Sequence, residues 1–430
     1  MRLATPRRPR ERPGWNVLPE HLGLPHLGSA RPFAFALAID AFGSGLFLPF
    51  SLLYFHQVGG LSLTQAGLGL SIAMLMAVPA PLLAGVLIDR SSPKRIMLLT
   101  NTARVAGFLG FLFVHDLWAL IAVALLVAVS DRLFWVAHPA LVAELAGSGG
   151  RDRWFGLTTA LRCAGLGAGG LLAGLVVSDL ETLGYQSLAI ANAISYAVAA
   201  LLISRLQIPS HGQIPLAVSV SRQGGLKAVL ADRSFCGLVA INLLFGIART
   251  VILVGLPVFT VQVLEAPAWM AGALYATYTV IIALGQTSVV RRLEGHRRTR
   301  ALMFAAVLWA MSFLLLASAS LLPPVLLVGF LFVVTGLYTA AVVLHAGVID
   351  ALVVEAAPDR LRARYVGVYH LSWAVANAMA PGLFSILLSW QPALPWIALA
   401  LLLLLAAVGV WMLEARLVEV AVRPTARMRC

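Results

Sequence analysis

The chain has 430 residues, of which 60% are apolar and only 11% carry a charge. A soluble domain with so few charged residues would expose far too much apolar surface, which excludes that class. Twelve membrane-spanning helices need roughly 240 residues, so the chain is long enough for them. The net charge of +13 fits basic loops at one membrane face, and we expect no nucleic-acid partner. The three cysteines lie too far apart for a disulfide framework or a metal site, and we expect no metal.

Membrane-length apolar runs divide the chain into two sets of six. The first set predicts helices at 33–57, 64–88, 96–115, 117–144, 155–178 and 184–206. The second set predicts helices at 236–262, 267–290, 300–321, 324–352, 365–389 and 393–414. We therefore predict an all-α membrane protein with twelve transmembrane helices. Its predicted parts are an N-terminal tail at 1–32, a six-helix bundle at 33–206, a linker at 207–235, a second six-helix bundle at 236–414 and a C-terminal tail at 415–430.

Lysine and arginine residues occur in alternate connecting segments. Both tails, the linker and every second loop carry them, whereas the intervening loops carry none. Because basic loops stay on the cytoplasmic side, this alternation predicts a cell-membrane protein with both termini in the cytoplasm.

The loop between the second and third predicted helices has a recognisable sequence. Residues 85–95 read GVLIDRSSPKR. This loop resembles the G-x-L-x-D-R-x-G-R-K loop of the major facilitator superfamily, and the matching residues are Gly85, Leu87, Asp89, Arg90 and Lys94. The resemblance implies that Asp89 latches the two bundles together on the cytoplasmic side, against the eleventh helix, where a helix N-terminus favours a carboxylate. Arg90, Lys94 and Arg95 are candidates for ion pairs across that interface, or serve only as topology determinants.

The loops after the fourth and tenth predicted helices repeat one another. Trp154 and Tyr365 are equivalent positions 211 residues apart (365 − 154), with acidic, basic and glycine neighbours at the same offset. Pro49 and Pro257 are related by a similar offset in the first and seventh helices. The repeat predicts two pseudo-symmetric six-helix bundles with a substrate site near the bilayer midplane between them.

The fifth predicted helix is rich in glycine. Its pattern resembles the G-x8-G-x3-G-P-x2-G-G motif of drug exporters in the superfamily, and the matching residues are Gly156, Gly165, Gly169 and Gly174. Small residues at this spacing let helices approach closely. The resemblance favours export over uptake, whereas close helix packing alone also explains the glycines.

Four ionisable residues in the predicted spans are candidates for proton coupling or substrate binding, because charges are costly in lipid. They are Asp40, Asp131, Arg132 and Arg249. We hypothesise that Asp40 and Asp131 exchange protons, with Arg132 or Arg249 as the responding cation. The alternative is a static ion pair. Arg104 and Arg162 lie nearer the predicted helix ends and are expected to extend their side chains to the surface.

The helices that face the pathway in this superfamily supply candidates for the cavity lining. These candidates are Phe134, Trp135, Asn242, Tyr338, Trp373 and Asn377. Aromatic walls with few polar groups suit an amphipathic or lipophilic solute. Aromatic residues at helical spacing also serve plain packing.

The leading prediction is a secondary transporter that exports a small molecule by alternating access, driven by a proton gradient. We expect no cofactor, because the chain has no G-x-x-x-x-G-K-[ST] phosphate loop. A small-molecule substrate, the lipid bilayer and a monomeric state complete the expected partners. Alternatives are an importer or uniporter of a polar metabolite in the same fold and a non-transporting sensor. A membrane enzyme is a weaker alternative, since no cluster of His, Asp or Glu lies at one membrane face.

Overall fold

The computed structural model describes residues 27–81, 91–146, 150–207, 226–293, 296–358 and 361–417, together with residue 422. Within these ranges the chain is helical and contains no β-strand, which confirms the predicted all-α class. The helices in the first half of the chain are α1 (Arg31–Phe47), α2 (Ser51–Gln57), α3 (Leu63–Met76), α4 (Pro93–Phe111), α5 (Leu117–Ala146) and α6 (Arg151–Ser204). Those in the second half are α7 (Leu226–Ala231), α8 (Arg233–Val258), α9 (Ala268–Leu293), α10 (Arg298–Ser318), α11 (Pro324–Ala356), α12 (Arg362–Trp390) and α13 (Leu394–Glu414).

Every predicted span overlaps a helix of the described chain. Ten helical stretches in the described ranges are long and apolar enough to cross a membrane. The third predicted span coincides with α4. The second, at 64–88, begins with α3, and its residues 82–88 lie outside the described ranges. The predicted linker at 207–235 contains α7 and the start of α8.

Helix α6 contains two predicted spans in one helix of 54 residues. A straight helix of that length would extend about 81 Å, far beyond a bilayer core of roughly 30 Å. The chain instead folds back near Gly184, where an added Cβ atom would lie 2.8 Å from the carbonyl oxygen of Val176. Glycine allows this approach, and it separates the span Asp152–Leu180 from the span Thr182–Ser204.

The first span is interrupted where its proline removes a backbone donor. A 3₁₀ turn at Leu48–Phe50 separates α1 from α2, with Pro49 inside it. At the related position in the second half, Pro257 lies inside α8, which continues into a π-helical turn at Phe259–Val263. The two prolines therefore mark irregular turns in both halves.

The two repeated loops make similar contacts. Trp154 near the start of α6 packs on Phe33 of α1, with ring centroids 6.3 Å apart. Tyr365 near the start of α12 packs on Phe235 of α8, with centroids 4.3 Å apart. In each half, an aromatic residue of the repeat thus anchors the start of that half's first long helix.

We call the end at which α1 begins the lower end and the end at which α2 meets α3 the upper end. Close contacts between the first and second halves of the described chain lie toward the upper end. The Oγ atom of Ser178 in α6 accepts a hydrogen bond from the backbone N–H of Trp269 at 2.8 Å. The Oγ atom of Ser71 in α3 accepts one from the N–H of Gly382 in α12, also at 2.8 Å. These contacts close the upper end between the halves.

Candidate functional site

One buried arginine in the first half binds two carboxylates. Arg104 of α4 places Nη1 3.1 Å from Oδ2 of Asp40 on α1 and Nη2 2.8 Å from Oδ1 of Asp131 on α5. Nη1 also lies 3.4 Å from Oδ1 of Asn101. Three helices therefore converge on one guanidinium, and we call Asp40, Arg104 and Asp131 the charge cluster.

Aromatic rings cover the remaining faces of the Arg104 side chain. Its Cζ atom lies 4.3 Å from the ring centroid of Phe134 and 5.1 Å from that of Tyr196. The Tyr196 hydroxyl in turn lies 3.1 Å from Oγ of Ser44. These contacts hold the cation in a weakly polar wall, where electrostatic interactions are stronger than in water.

The expectation that Arg104 reaches the surface is wrong, because its side chain is only 2% exposed. It lies 11 residues into α4 (104 − 93), about 16 Å from the lower end at 1.5 Å per residue. At that depth the side chain cannot reach water, and the two carboxylates neutralise it instead. The hypothesis named Arg132 or Arg249 as the cation that responds to the two acids, whereas the structure places Arg104 between them.

A cavity of about 270 Å³ adjoins the charge cluster between the two halves. Residues of α8 and α12 form its opposite wall, among them Val254, Asn377 and Pro381. Its first-half lining includes Asp40, Ser44, Phe47, Leu70, Met74, Arg104, Phe108, Phe111, Asp131, Arg132, Trp135, Arg162, Asn192 and Tyr196. We call it the central cavity. Its lining combines aromatic rings with a few charged groups, which suits a small organic solute.

The two carboxylates of the charge cluster differ in their access to this space. The Asp131 side chain is 52% exposed, whereas that of Asp40 is 10% exposed. Arg132 lies beside Asp131 and extends across the cavity, where Nη2 donates to the carbonyl oxygen of Ala374 at 3.4 Å. Asp131 therefore presents the carboxylate that a solute in the central cavity can meet.

A second cavity of about 220 Å³ lies nearer the lower end, and we call it the lower cavity. It is lined by Leu37, Asp40, Ala41, Trp135, His138, Phe155, Thr158, Thr159 and Arg162. Asp40, Trp135 and Arg162 belong to both cavities. The guanidinium of Arg162 stacks on Trp135, with Cζ 4.0 Å from the ring centroid, and this stack stands between the two spaces.

Two of the predicted cavity residues, Trp135 and Asn377, line the central cavity, and Asn377 accepts a hydrogen bond from the Thr250 hydroxyl. The others lie elsewhere. Phe134 is buried against Arg104. Asn242 is fully buried and donates to Oγ of Ser372 at 2.8 Å.

The remaining predicted residues surround Arg249 in the second half. The Arg249 guanidinium lies over Trp373, with Cζ 5.2 Å from the ring centroid. Tyr338 is buried and donates its hydroxyl hydrogen to the Arg249 carbonyl oxygen at 3.0 Å. No carboxylate of the described residues forms an ion pair with Arg249. Arg249 therefore occupies an aromatic site separate from the charge cluster.

The glycines of α6 face two different neighbours. An added Cβ at Gly165 would lie 2.9 Å from the Phe42 nitrogen of α1, and one at Gly169 would lie 2.2 Å from the Phe42 oxygen. On another face, an added Cβ at Gly174 would lie 2.8 Å from the Ala268 oxygen of α9. Gly156 has no neighbour within 4 Å of such an atom, so packing does not require it.

The predicted cytoplasmic latch is only partly described. Gly85, Asp89 and Arg90 lie outside the described residues. Lys94 donates from Nζ to the carbonyl oxygens of Ser204 at 2.8 Å and Leu206 at 2.7 Å. Lys94 thus caps the C-terminal end of α6 within its own half, where the helix dipole favours a cation. Arg95 is exposed at the start of α4.

Within the described ranges, no group of three or more His, Cys, Asp or Glu side chains is arranged to hold a metal ion. The member of the charge cluster that the sequence analysis did not include among its candidates is Arg104. Its signal was its position in an apolar run of a chain that carries acids in two other predicted spans, because a charge in a span is rarely tolerated without pairing.

Comparison with known proteins identifies the class. Residues 33–349 match the sequence profile of the Major Facilitator Superfamily, and the chain belongs to this family of membrane transporters. It is 23% identical over 378 residues to the uncharacterized MFS-type transporter YdeE of Escherichia coli, covering 85% of this chain and 90% of YdeE. It is 24% identical over 373 residues to the multidrug resistance protein MdtH of Aeromonas hydrophila, covering 84% of this chain and 90% of MdtH.

Other matches are shorter or more distant. The uncharacterized MFS-type transporter YttB of Bacillus subtilis is 28% identical over 160 residues, and the match spans 37% of this chain and only 39% of YttB. Among solved structures, the nucleoside transporter NupG superposes with a TM-score of 0.72 at 15% identity, covering 89% of this chain and 98% of NupG. That likeness confirms the predicted superfamily fold. The chain is therefore a multi-pass membrane transporter with a small-molecule substrate.

Proposed function

We propose that this transporter is a proton-coupled exporter of a small amphipathic or lipophilic molecule, working by alternating access in the cell membrane with its lower end in the cytoplasm. The observation that supports this proposal is the charge cluster beside the central cavity. Two carboxylates share one guanidinium, so the three groups of the cluster carry a net charge of −1 when both acids are ionised, and Asp40 bears its negative charge in a buried position. Such a charge is costly unless a cation joins it.

Two acids that share one guanidinium suggest an exchange mechanism. One proton on Asp40 or Asp131 makes the three-residue cluster neutral, and so does a cationic group of a solute near Asp131. Because either partner neutralises the cluster, the two exclude one another, and this is the condition for exchanging protons against solute. Closure of the upper end in this structure leaves the cluster to exchange with the lower side.

Two further observations support the proposal, the first on the kind of solute and the second on export. The central cavity has aromatic walls, which suit the apolar part of such a solute. Relatives that match over most of the chain include proteins named for multidrug resistance.

Proteoliposomes with a trapped pH indicator test the coupling. Three naphthalene derivatives serve as probes, substituted with trimethylammonium, hydroxymethyl or sulfonate. We expect the trimethylammonium compound to drive proton movement through the wild-type protein, and this movement to be lost in Asp40→Asn and Asp131→Asn. Asp116→Asn is the matched control, because Asp116 is exposed and caps α5 outside the central cavity.

Cells provide the test of direction. Cells that express the wild type should accumulate less of the trimethylammonium probe than cells that express Asp131→Asn. Equal proton movement in wild type and in both aspartate variants contradicts the role of the cluster. Greater accumulation in wild-type cells contradicts export.

A further inference from the structure

The lower cavity differs from the central cavity in which acid it reaches. Asp40 lines both cavities, whereas Asp131 lines the central cavity and is absent from the lower one. The two carboxylates bind the same guanidinium from opposite sides, through Nη1 and Nη2 of Arg104. The cluster thus contains two acids with different access: Asp40 adjoins the lower cavity as well as the central one, and Asp131 faces the central cavity alone.

The lower cavity is polar enough to hold water. His138 is 5% exposed, and its Nε2 atom has no hydrogen-bond partner among the described residues. The Thr158 hydroxyl donates to the Phe155 carbonyl oxygen at 3.0 Å, which leaves its lone pairs free to accept. A volume of about 220 Å³ has room for several water molecules at about 30 Å³ each. An unpaired buried polar atom beside such a space is the usual setting for ordered water.

Part of the lining of this cavity is exposed at the surface of the protein, toward the lower end. Thr159 and Arg162 are exposed, and Phe155 is 38% exposed in the second turn of α6. His138 lies seven residues below Asp131 along α5, about 10 Å nearer the lower end. Arg162 lies close enough to act electrostatically on both Asp40 and His138. Its stack on Trp135 lies at the boundary between the two cavities, because both side chains line both of them.

We propose that the lower cavity is a proton route between the lower end and Asp40, separate from the path of the solute. This inference rests on the proposed function and adds a division of labour to it. The O–H bond of protonated Asp40 breaks toward water in the lower cavity, the proton leaves along that water past the Nε2 atom of His138, and the carboxylate keeps its electron pair and its bond to Arg104. Asp131 meanwhile meets the solute.

The groups that face Asp40 come from three packed helices. Arg104 of α4 holds one of its oxygens, Asp131 and His138 come from α5, and Arg162 comes from α6. When Asp40 loses its proton, Arg104 and Arg162 therefore stabilise the resulting carboxylate. A solute cation that arrives at Asp131 displaces Arg104 from Asp131 toward Asp40. Through this arrangement, binding of the solute in the central cavity promotes release of the proton into the lower cavity, although the solute and the proton occupy different cavities.

Filling each cavity separately tests the proposal. Thr158→Leu adds bulk to the lower cavity alone, and Ala128→Leu adds bulk to the central cavity alone. The trimethylammonium naphthalene probe is mixed with purified protein in weakly buffered detergent solution, and a pH indicator follows proton release while tryptophan fluorescence follows binding. Thr159→Leu is a second lower-cavity variant, because its exposed position tolerates the change if Thr158→Leu does not fold.

We expect Thr158→Leu to bind the probe with an affinity near that of the wild type and to release protons at least about tenfold more slowly. Ala128→Leu should bind more weakly and release its protons at the wild-type rate per molecule bound. The proposal is overturned if both threonine variants release protons at the wild-type rate, or if they lose affinity as Ala128→Leu does. A wild type that binds the probe without releasing protons contradicts the proposed function itself, and the inference falls with it.

Discussion

At the scale of single residues, Arg104 determines the character of the site. It is the buried cation that connects α1, α4 and α5, and its side chain is only 2% exposed. A buried ion pair adds little net stability relative to apolar packing, but breaking one by removing a partner is costly. The stability of the first half should therefore depend on the balance of charge in the cluster more than on the presence of any one member.

Substitution of Arg104 tests this dependence. Arg104→Met should lower the free energy of unfolding by about 3–5 kcal/mol, because it leaves Asp40 charged and buried. Thermal unfolding of the purified protein, followed by tryptophan fluorescence, measures the effect. The double variant Arg104→Met with Asp40→Asn should recover part of the loss. Equal unfolding temperatures for wild type and Arg104→Met would show that the cluster does not stabilise the fold.

The sequence predicts this site incompletely, for a geometric reason. Asp40 and Asp131 were recognisable because each acid interrupts an apolar run. Their shared partner was not, because Arg104 is 64 residues from Asp40 and 27 from Asp131, and side-chain spacing says nothing about helices that meet only in three dimensions. Asn242 and Tyr338 were misplaced for a related reason, since helix periodicity does not tell which polar residue faces a cavity and which faces a neighbouring helix.

At the scale of elements, α6 packs closely against other helices on two of its faces. Gly165 and Gly169 bring it against α1 in its own half, and Gly174 brings it against α9 in the other half. The backbone atoms are so close that a side chain cannot be added without moving a helix. Helix packing in membranes depends on such small residues, because lipid supplies no hydrophobic drive for association.

Two alanine substitutions separate the glycines that pack from the one that does not. Gly169→Ala should lower stability by about 1–3 kcal/mol, since its methyl group would meet the backbone of α1. Gly156→Ala is the matched control and should be neutral or stabilise by up to about 1 kcal/mol, because alanine favours helix and nothing lies within 4 Å. Thermal unfolding of both variants in the same detergent gives the comparison. Equal effects would contradict the assignment of faces.

The elements themselves were well predicted. Each of the twelve predicted spans overlaps a helix, because an apolar run of about 20 residues in lipid has no other way to satisfy its backbone. The details that escaped prediction were the 3₁₀ turn at Leu48–Phe50 and the fold-back at Gly184. Hydropathy reports the length of a span and is insensitive to a turn whose residues are as apolar as the helix around it.

At the scale of the whole molecule, the two halves meet at the upper end. α6 packs on α9, and α3 packs on α12 through the hydrogen bond between Ser71 and Gly382. Alternating access requires these contacts to separate when the upper end opens and the lower end closes. The upper contacts should therefore form and break in every transport cycle.

A disulfide across these contacts should stop transport. An added Cβ at Gly382 would lie 3.2 Å from the Ser71 Cβ, so a small outward shift would bring Ser71→Cys with Gly382→Cys into the range of about 3.5–4.5 Å that a disulfide needs. Proton movement driven by the trimethylammonium probe should fall to the background of empty liposomes and return on reduction. The controls are the single variants Ser71→Cys and Gly382→Cys under the same oxidising conditions, because neither can form the bond between the halves. Full transport by the oxidised Ser71–Gly382 pair contradicts a cycle in which the upper contacts open.

The pairing of two carboxylates with one guanidinium also limits the work that transport through this cluster can perform. At most two protons can be exchanged there in one turnover, one for each acid. A difference of one pH unit across the membrane supplies about 1.4 kcal/mol per proton. The largest steady-state concentration ratio that such a gradient sustains is therefore about tenfold for a stoichiometry of one proton and about a hundredfold for two, before any membrane voltage is added.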